Sequence, residues 1–259
     1  MKGGKNRQPL GYTIIEVMIV LAVSGVMFLI AASFINGKQA RSAFTAGVND
    51  MASQIQDTVE QVTDGKYSDI PLSCSTGGGN LTFPVGGAQG TNSDCVFLGK
   101  LFRFTTNSPN YTLSSLAGKR SIGDVTPTIS PGAGDVDPTI IPLLSVAQTI
   151  PQSLNVTGIS VTDATSHATA SNTYYVFGFA QSLGSSDGSF EAGGQTISLI
   201  YSQAGSGAVD SAINDHIGYA QAVTLCLSDG NQQARLVLGG AGSQFNVDVQ
   251  RLNPGAPCP

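Results

Sequence analysis

The first sixty-four residues combine two apolar patterns. Residues 17–35 contain no charged side chain, and a helix needs about 20 such residues to cross a bilayer. Farther along, apolar residues recur three or four positions apart, which indicates one buried stripe on a helix: Phe44, Val48, Met51, Ile55, Val59 and Val62. Asp64 and Gly65 are typical of a helix end. The pattern predicts one helix over residues 12–64, transmembrane over 17–35 and amphipathic beyond; an anchor followed by an unrelated stalk is the alternative.

The remaining residues, 65–259, predict an extracytoplasmic β-rich globular domain. Short stretches rich in β-branched and aromatic residues, bounded by Gly, Ser or Asn, favour strands: 95–105, 173–180, 196–202, 219–227, 233–238 and 245–252. Asp229-Gly230 is a hairpin signal between two of them. Residues 106–171 are rich in Ser, Thr, Pro and Gly, and we interpret them as a loop-rich insertion or a small subdomain. The fold class is therefore α+β, a long N-terminal helix packed on an antiparallel sheet.

Charge and composition narrow the function. The net charge is −5 and only 11% of residues are charged, against about 25% in ordinary domains. An acidic chain argues against a nucleic-acid partner, because phosphate binding needs clustered Lys and Arg. The two histidines, His167 and His216, lie far apart in the sequence and argue against a His-rich metal site. No cofactor is expected.

The N-terminal flank predicts the direction of export. Residues 1–11 contain Lys2, Lys5 and Arg7 and no acid, and basic flanks stay in the cytoplasm. The bulk of the chain is therefore expected outside, joined to a membrane helix. Glu16 does not fit a plain anchor, because a carboxylate at the start of a membrane helix costs free energy unless it is solvated or paired.

The basic leader ends in Gly11, and Tyr12, Thr13, two β-branched residues and Glu16 precede the apolar run. This order of features resembles the N-terminal signal of type IV prepilins and type II secretion pseudopilins. In those families a membrane peptidase cuts before the apolar segment and methylates the new N-terminus. The resemblance implies cleavage between Gly11 and Tyr12, methylation of Tyr12 and a leader peptide of residues 1–11. Tyr12 departs from the usual Phe or Met.

The resemblance also assigns assembly roles. It implies that Glu16 meets the N-terminal amine of Tyr12 in a neighbouring subunit, with Thr13 in the same motif. Gly25 matches a position where pilin helices loosen in the filament, or it serves close helix packing. The Pro often found later in that segment is absent, and Ser33 stands near its place, which weakens the case for local melting.

The resemblance implies a pilin fold and a structural subunit of a pilus or pseudopilus. Its expected partners are other pilin subunits, the prepilin peptidase, the assembly machinery and the cytoplasmic membrane. The subunit would sit in that membrane as a single-pass protein with its N-terminus inside, then enter a cell-surface filament. The large exported part favours a minor or atypical subunit over a main repeating one.

Four cysteines lie outside the apolar run, and an even number in an exported domain suggests two disulfides. Three pairings are possible. We favour Cys74–Cys95 and Cys226–Cys258, because each closes a loop of about 20 to 30 residues; free buried thiols are the alternative. The second pair resembles the C-terminal disulfide region of many type IV pilins.

Other motifs do not favour catalysis, and no enzyme activity is expected. Residues 184–188 match G-x-S-x-G, but the residues that follow are a poor helix start for a nucleophile elbow. Acidic residues at 134–137 and 210–216 do not complete a calcium loop, and we interpret them as solvated.

One stretch mixes basic and aromatic residues, as single-strand DNA binders do: Lys100, Phe102, Arg103 and Phe104. Their alternation, however, predicts one strand with two faces. A non-polymerising single-pass binding protein and a secreted enzyme remain as alternatives.

Overall fold

The computed structural model of this protein describes residues 13–66, 75–77, 80–83, 95–105, 107–119, 139–171, 176–181, 189–192, 195–202, 217–239, 245–253, 256 and 258. The predicted leader, with Gly11 and Tyr12, lies outside this range. The chain divides into two compact units between Ala43 and Phe44.

Helix α1 spans Ile14–Thr63 and agrees with the predicted range of 12–64. Thr13 caps it, since the backbone N–H of Glu16 lies 3.1 Å from the Thr13 carbonyl oxygen and 3.4 Å from its hydroxyl oxygen. The C-terminal end closes on Gly65, whose φ is +66°. There the N–H of Gly65 donates to Val62 and that of Lys66 to Gln61, at 3.1 and 2.8 Å. These bonds satisfy carbonyls that a helix end otherwise leaves unpaired.

The amphipathic part of α1 belongs to the second unit. All six residues of the predicted stripe are at most 4% exposed. They share one hydrophobic core with side chains of the sheet, among them Phe102, Phe177 and Leu225. The α+β prediction is confirmed.

The strands are β1 (Ser75–Gly77), β2 (Asn80–Thr82), β3 (Cys95–Phe104), β4 (Asn110–Lys119), β5 (Thr139–Thr149), β6 (Asn155–Asp163), β7 (Thr169–Ser171), β8 (Val176–Gln181), β9 (Ser189–Ala192), β10 (Gln195–Ser202), β11 (Ile217–Ser228), β12 (Gln233–Gly239) and β13 (Val247–Leu252). The main sheet has the order β13-β12-β11-β10-β8-β3-β4-β5, with antiparallel pairing. Strand β11 joins its two halves: its first residues pair with β10, and its later ones lie between β12 and β6. All six predicted strands are present, and Asp229-Gly230 lies in the β11–β12 hairpin.

The structure corrects the predicted loop-rich insertion at 106–171. Strands β4, β5, β6 and β7 occupy much of that range, and β4 pairs with both β3 and β5. The pattern missed β4 because small residues fill some of its buried positions: Ser114 and Ser115 are 4% and 3% exposed. Backbone pairing and burial decide strand formation there more than side-chain propensity does. Strands β5 and β6 do bury branched apolar residues, among them Ile141 and Ile159, but the many Ser, Thr, Pro and Gly residues of this range favoured a loop.

One close approach fixes the helix against the β5–β6 connection. A 3₁₀ turn at Pro151–Ser153 lies over Gly47 of α1, where an added Cβ would be 2.9 Å from the Pro151 carbonyl oxygen. The buried residues Ile150 and Leu154 flank this turn. Gly47 is therefore required by contact, since any other residue would push the turn away.

Candidate assembly site

The predicted assembly residues lie at the start of α1. Glu16 stands one turn from the capping Thr13, in the first turn of the helix, where a carboxylate interacts favourably with the helix dipole. Both residues are exposed. Gly11 and Tyr12 lie outside the described residues, so the cleavage site and the amine partner of Glu16 stay predictions.

The surface around Glu16 is apolar. From Ile14 to Ala31 the helix is long and apolar enough to cross a membrane, slightly earlier in the chain than the predicted 17–35. Its large apolar side chains, from Ile14 to Ile30, are 48% to 82% exposed. Exposing this much apolar area to water is unfavourable, so lipid or other apolar helices must cover it.

Gly25 lies within this apolar surface. A Cβ added there would meet no atom within 4 Å, so contacts within the described chain do not explain the glycine. Small residues let neighbouring membrane helices approach closely. Close packing of a neighbouring helix would account for Gly25, whereas loosening would depend on the low helix propensity of Gly itself.

Charged residues follow the apolar surface in a definite order. Lys38 and Arg41 are exposed. Farther along, four exposed acids form what we call the acidic face: Asp50, Asp57, Glu60 and Asp64. Residues 42–65 contain no Lys or Arg. The apolar stripe predicts which side of this helix is buried, but it does not identify the acidic face. The signal for that face is the run of four acids without a Lys or Arg over residues 42–65.

Polar contacts attach the amphipathic half of α1 to the sheet. The amine of Lys100, a residue only 9% exposed, donates to Gln61 Oε1, and Gln181 Nε2 donates to the Val62 carbonyl oxygen at 3.0 Å. The Tyr111 hydroxyl lies 2.8 Å from Gln54 Oε1, and burial raises the pKa of Tyr111 to about 12. These contacts use side chains from β3, β4 and β8, so they fix this part of the helix to the half of the main sheet that ends in β5.

The four residues that mixed basic and aromatic types lie in β3, as their alternation predicted. Phe102 and Phe104 are buried in the core, with stacked rings 6.0 Å apart, and Lys100 is bonded to Gln61. Neither ring offers an exposed face for a nucleic-acid base.

A disulfide joins Cys226 and Cys258, the pairing that the sequence favoured. Their Cα atoms are 6.1 Å apart, and 32 positions separate them in the chain. Cys226 is buried in β11, so the bond ties the end of the chain to an interior strand across the segment that holds β12 and β13. Cys74 lies outside the described residues, so the predicted Cys74–Cys95 pair stays a prediction.

The remaining motifs also lie outside that part of the chain. They are the G-x-S-x-G match at 184–188 and the acidic stretches at 134–137 and 210–216. Among the residues that the structure describes, no group of three His, Cys, Asp or Glu side chains could hold a metal ion.

One comparison with known proteins bears on this site. Residues 7–32 match the family model of the prokaryotic N-terminal methylation motif. The match covers Gly11, Tyr12, Thr13, Glu16 and Gly25, and it confirms the resemblance to type IV pilins and pseudopilins. With the apolar helix, it indicates membrane anchoring. No curated protein and no solved structure matches the chain.

Proposed function

We propose that this protein is a structural subunit of a type IV pilus or a related pseudopilus. The observation that carries the proposal is a methylation motif at the head of a helix whose first part exposes apolar side chains. The second part of the same helix is built into a globular domain. A polymer held together by helix packing needs this division, because the apolar part must be free to leave lipid for other helices.

In this proposal, prepilin peptidase cleaves between Gly11 and Tyr12 and methylates the Tyr12 amine. Cleavage removes Lys2, Lys5 and Arg7, the cations that hold the precursor's N-terminus in the cytoplasm. The apolar helix is retained. The subunit waits in the cytoplasmic membrane with its globular domain outside, and the assembly machinery extracts it into a surface filament.

Glu16 sets the register between subunits. In a core of apolar helices, a lone carboxylate is costly and a paired one is tolerated. The Tyr12 amine of a neighbouring copy is the proposed partner, and such pairing specifies alignment more than it adds stability. The subunit has no catalytic role of its own, so the energy for assembly comes from a separate machine.

The mature N-terminus is the direct test. Mass spectrometry of the membrane-purified protein should identify N-methyl-Tyr12 as the first residue, and deleting the peptidase should leave the chain uncut. Electron microscopy of sheared surface filaments, with peptide identification, should find this chain in them.

Other N-termini would contradict the proposal. An intact Met1 would indicate a permanent single-pass surface protein. A first residue near Phe34 would indicate a secreted protein that has lost its apolar helix.

A further inference from the structure

The charges of α1 are separated into blocks along the chain. Residues 17–37 are uncharged, Lys38 and Arg41 come next, and residues 42–65 carry four acids and no cation. Both cations are exposed, as are the four carboxylates of the acidic face. These groups are therefore placed to meet another molecule.

This order restricts how copies of the helix can lie side by side. All copies enter the membrane in the same direction, because their basic leaders stay on the cytoplasmic side. Parallel helices at the same level would place cations against cations and acids against acids, and like charges repel. A copy displaced outward along the axis places its Lys38 and Arg41 against the acidic face of its neighbour.

We propose that Lys38 and Arg41 of one subunit dock on the acidic face, formed by Asp50, Asp57, Glu60 and Asp64, of a neighbouring copy. This inference rests on the proposed function, and it adds which surfaces meet and in which direction neighbours are displaced. Exposed ion pairs are individually weak, but in a polymer the same pairs recur at every subunit.

A second copy is the occupant that the charges favour. The acidic face repels anionic lipid, so it needs a partner that carries cations. In the described part of the sheet, Lys100, Arg235 and Arg251 already donate to Gln61, Gln250 and Thr45 of their own subunit, and the sequence has no Lys or Arg between Arg120 and Arg235. The basic pair follows the apolar stretch on the same helix, so packing of that stretch carries the pair alongside a neighbouring helix.

Charge reversal with compensation tests the docking in cells that make filaments. One variant carries Lys38→Glu with Arg41→Glu, a second carries Asp57→Lys with Glu60→Lys, and a third carries all four changes. The control is Lys119→Glu with Arg120→Glu, which reverses two other cations of the chain by the same amount, far from the acidic face in the sequence. Filament protein is measured after shearing, and processed subunit in the membrane is measured alongside it.

We expect each two-site variant to lose at least tenfold in filaments, the four-site variant to recover most of that loss, and the control to stay near wild type. Two-site variants with normal filament numbers would overturn the docking. So would a four-site variant no better than its parents, because the two charge sets would then not face each other.

If a charge-reversal variant has little processed subunit in the membrane, its loss of filaments does not test the docking. A crosslinking measurement is then used instead. Lys38→Cys and Asp57→Cys subunits are co-expressed, and intact filaments are treated with a short bifunctional maleimide. A mixed dimer that neither subunit forms alone is expected, and its absence would overturn the docking. If the mature protein begins with N-methyl-Tyr12 and the charge-reversal variants form normal numbers of filaments, the docking inference is wrong and the proposed function stands. A wild-type chain that is never processed or polymerised removes the proposed function as well.

Discussion

At the scale of single residues, Glu16 is the side chain whose burial needs another molecule. It lies within a helical surface that is apolar and exposed, so leaving water requires a positive partner. We expect Glu16→Ala to be inserted and processed normally and to reduce filaments more than tenfold, because the register signal is lost. Quantifying sheared filaments against membrane subunit checks this. Ser24→Ala, at another exposed position of the same helix, is the control, and wild-type filament numbers for Glu16→Ala would contradict the assigned role.

Gly47, unlike Glu16, is required by contacts within its own subunit. Replacing Gly by Ala usually stabilises a helix by up to about 1 kcal/mol. At this position, however, the new Cβ would meet the Pro151 carbonyl oxygen at 2.9 Å and Leu154 Cδ1 at 3.0 Å. Gln152 and Ser153 already have positive φ values of 57° and 54°, so the turn has little room to move. We therefore expect overpacking to dominate.

The prediction for Gly47→Ala is a loss of about 1 to 3 kcal/mol in the free energy of unfolding, with a larger loss for Gly47→Val. Denaturant unfolding in detergent measures it. The adjacent exposed change Ala46→Ser should stay within about 0.5 kcal/mol. A Gly47→Ala protein as stable as wild type would mean that the turn yields freely.

At the scale of elements, the β6–β7 hairpin depends on one carboxylate. Asp163 Oδ1 accepts the N–H groups of Ser166 and Thr165 at 2.7 and 3.0 Å, and Oδ2 accepts the Tyr201 hydroxyl at 2.7 Å. The Ser166 N–H bond, followed by the Tyr201 bond, lowers the pKa of Asp163 below its ordinary value. The folded state therefore favours the ionised form.

It follows that Asp163 stabilises the fold above pH 4, near the ordinary pKa of Asp, and that this stabilisation is lost as the pH falls through the lowered pKa. We expect Asp163→Asn to cost roughly 1 kcal/mol at pH 7, the scale of a partly exposed hydrogen bond. The difference from wild type should shrink as the pH falls below 4 and Asp163 becomes protonated in the folded state. Unfolding curves of both proteins between pH 7 and 2.5 test this, and a difference that does not change with pH would refute it.

Elements differ in how well the sequence predicts them. Runs of bulky apolar residues predict six of the strands: β3, β8, β10, β11, β12 and β13. The apolar stripe predicts α1, and Gly65 predicts where it ends. Strand β4 does not, because its buried positions include Ser114, Ser115 and Ala117, which have no strong preference for a strand. These three residues pair with residues of β3 and β5 that lie 13 to 26 positions away in the chain, and a local pattern does not contain that information.

At the scale of the whole molecule, the assembly residues and the packing contacts differ in how visible they are in a single sequence. Glu16 stands out because a charge interrupts an apolar run, and one chain is enough to see that. Gly47 does not stand out, because its requirement comes from a turn more than a hundred positions away. A residue that does not fit its neighbours in the sequence, such as Glu16, therefore indicates a contact with another molecule. A contact between distant parts of the same chain, such as that of Gly47, becomes visible only in the folded structure.

Folding and assembly depend on different parts of the chain. The unit from Phe44 to Pro259 has its own core, which includes Met51, Ile55 and Phe102, and the exposed apolar stretch lies in the other unit. We expect a fragment of residues 38–259, expressed where disulfides form, to be soluble without detergent and to unfold in one cooperative transition. It should stay monomeric and should not enter filaments when co-expressed with the full chain. Sedimentation and denaturant unfolding measure this, with the full chain in detergent as the reference. A fragment that aggregates or never folds would show that the apolar stretch contributes to the stability of the globular unit.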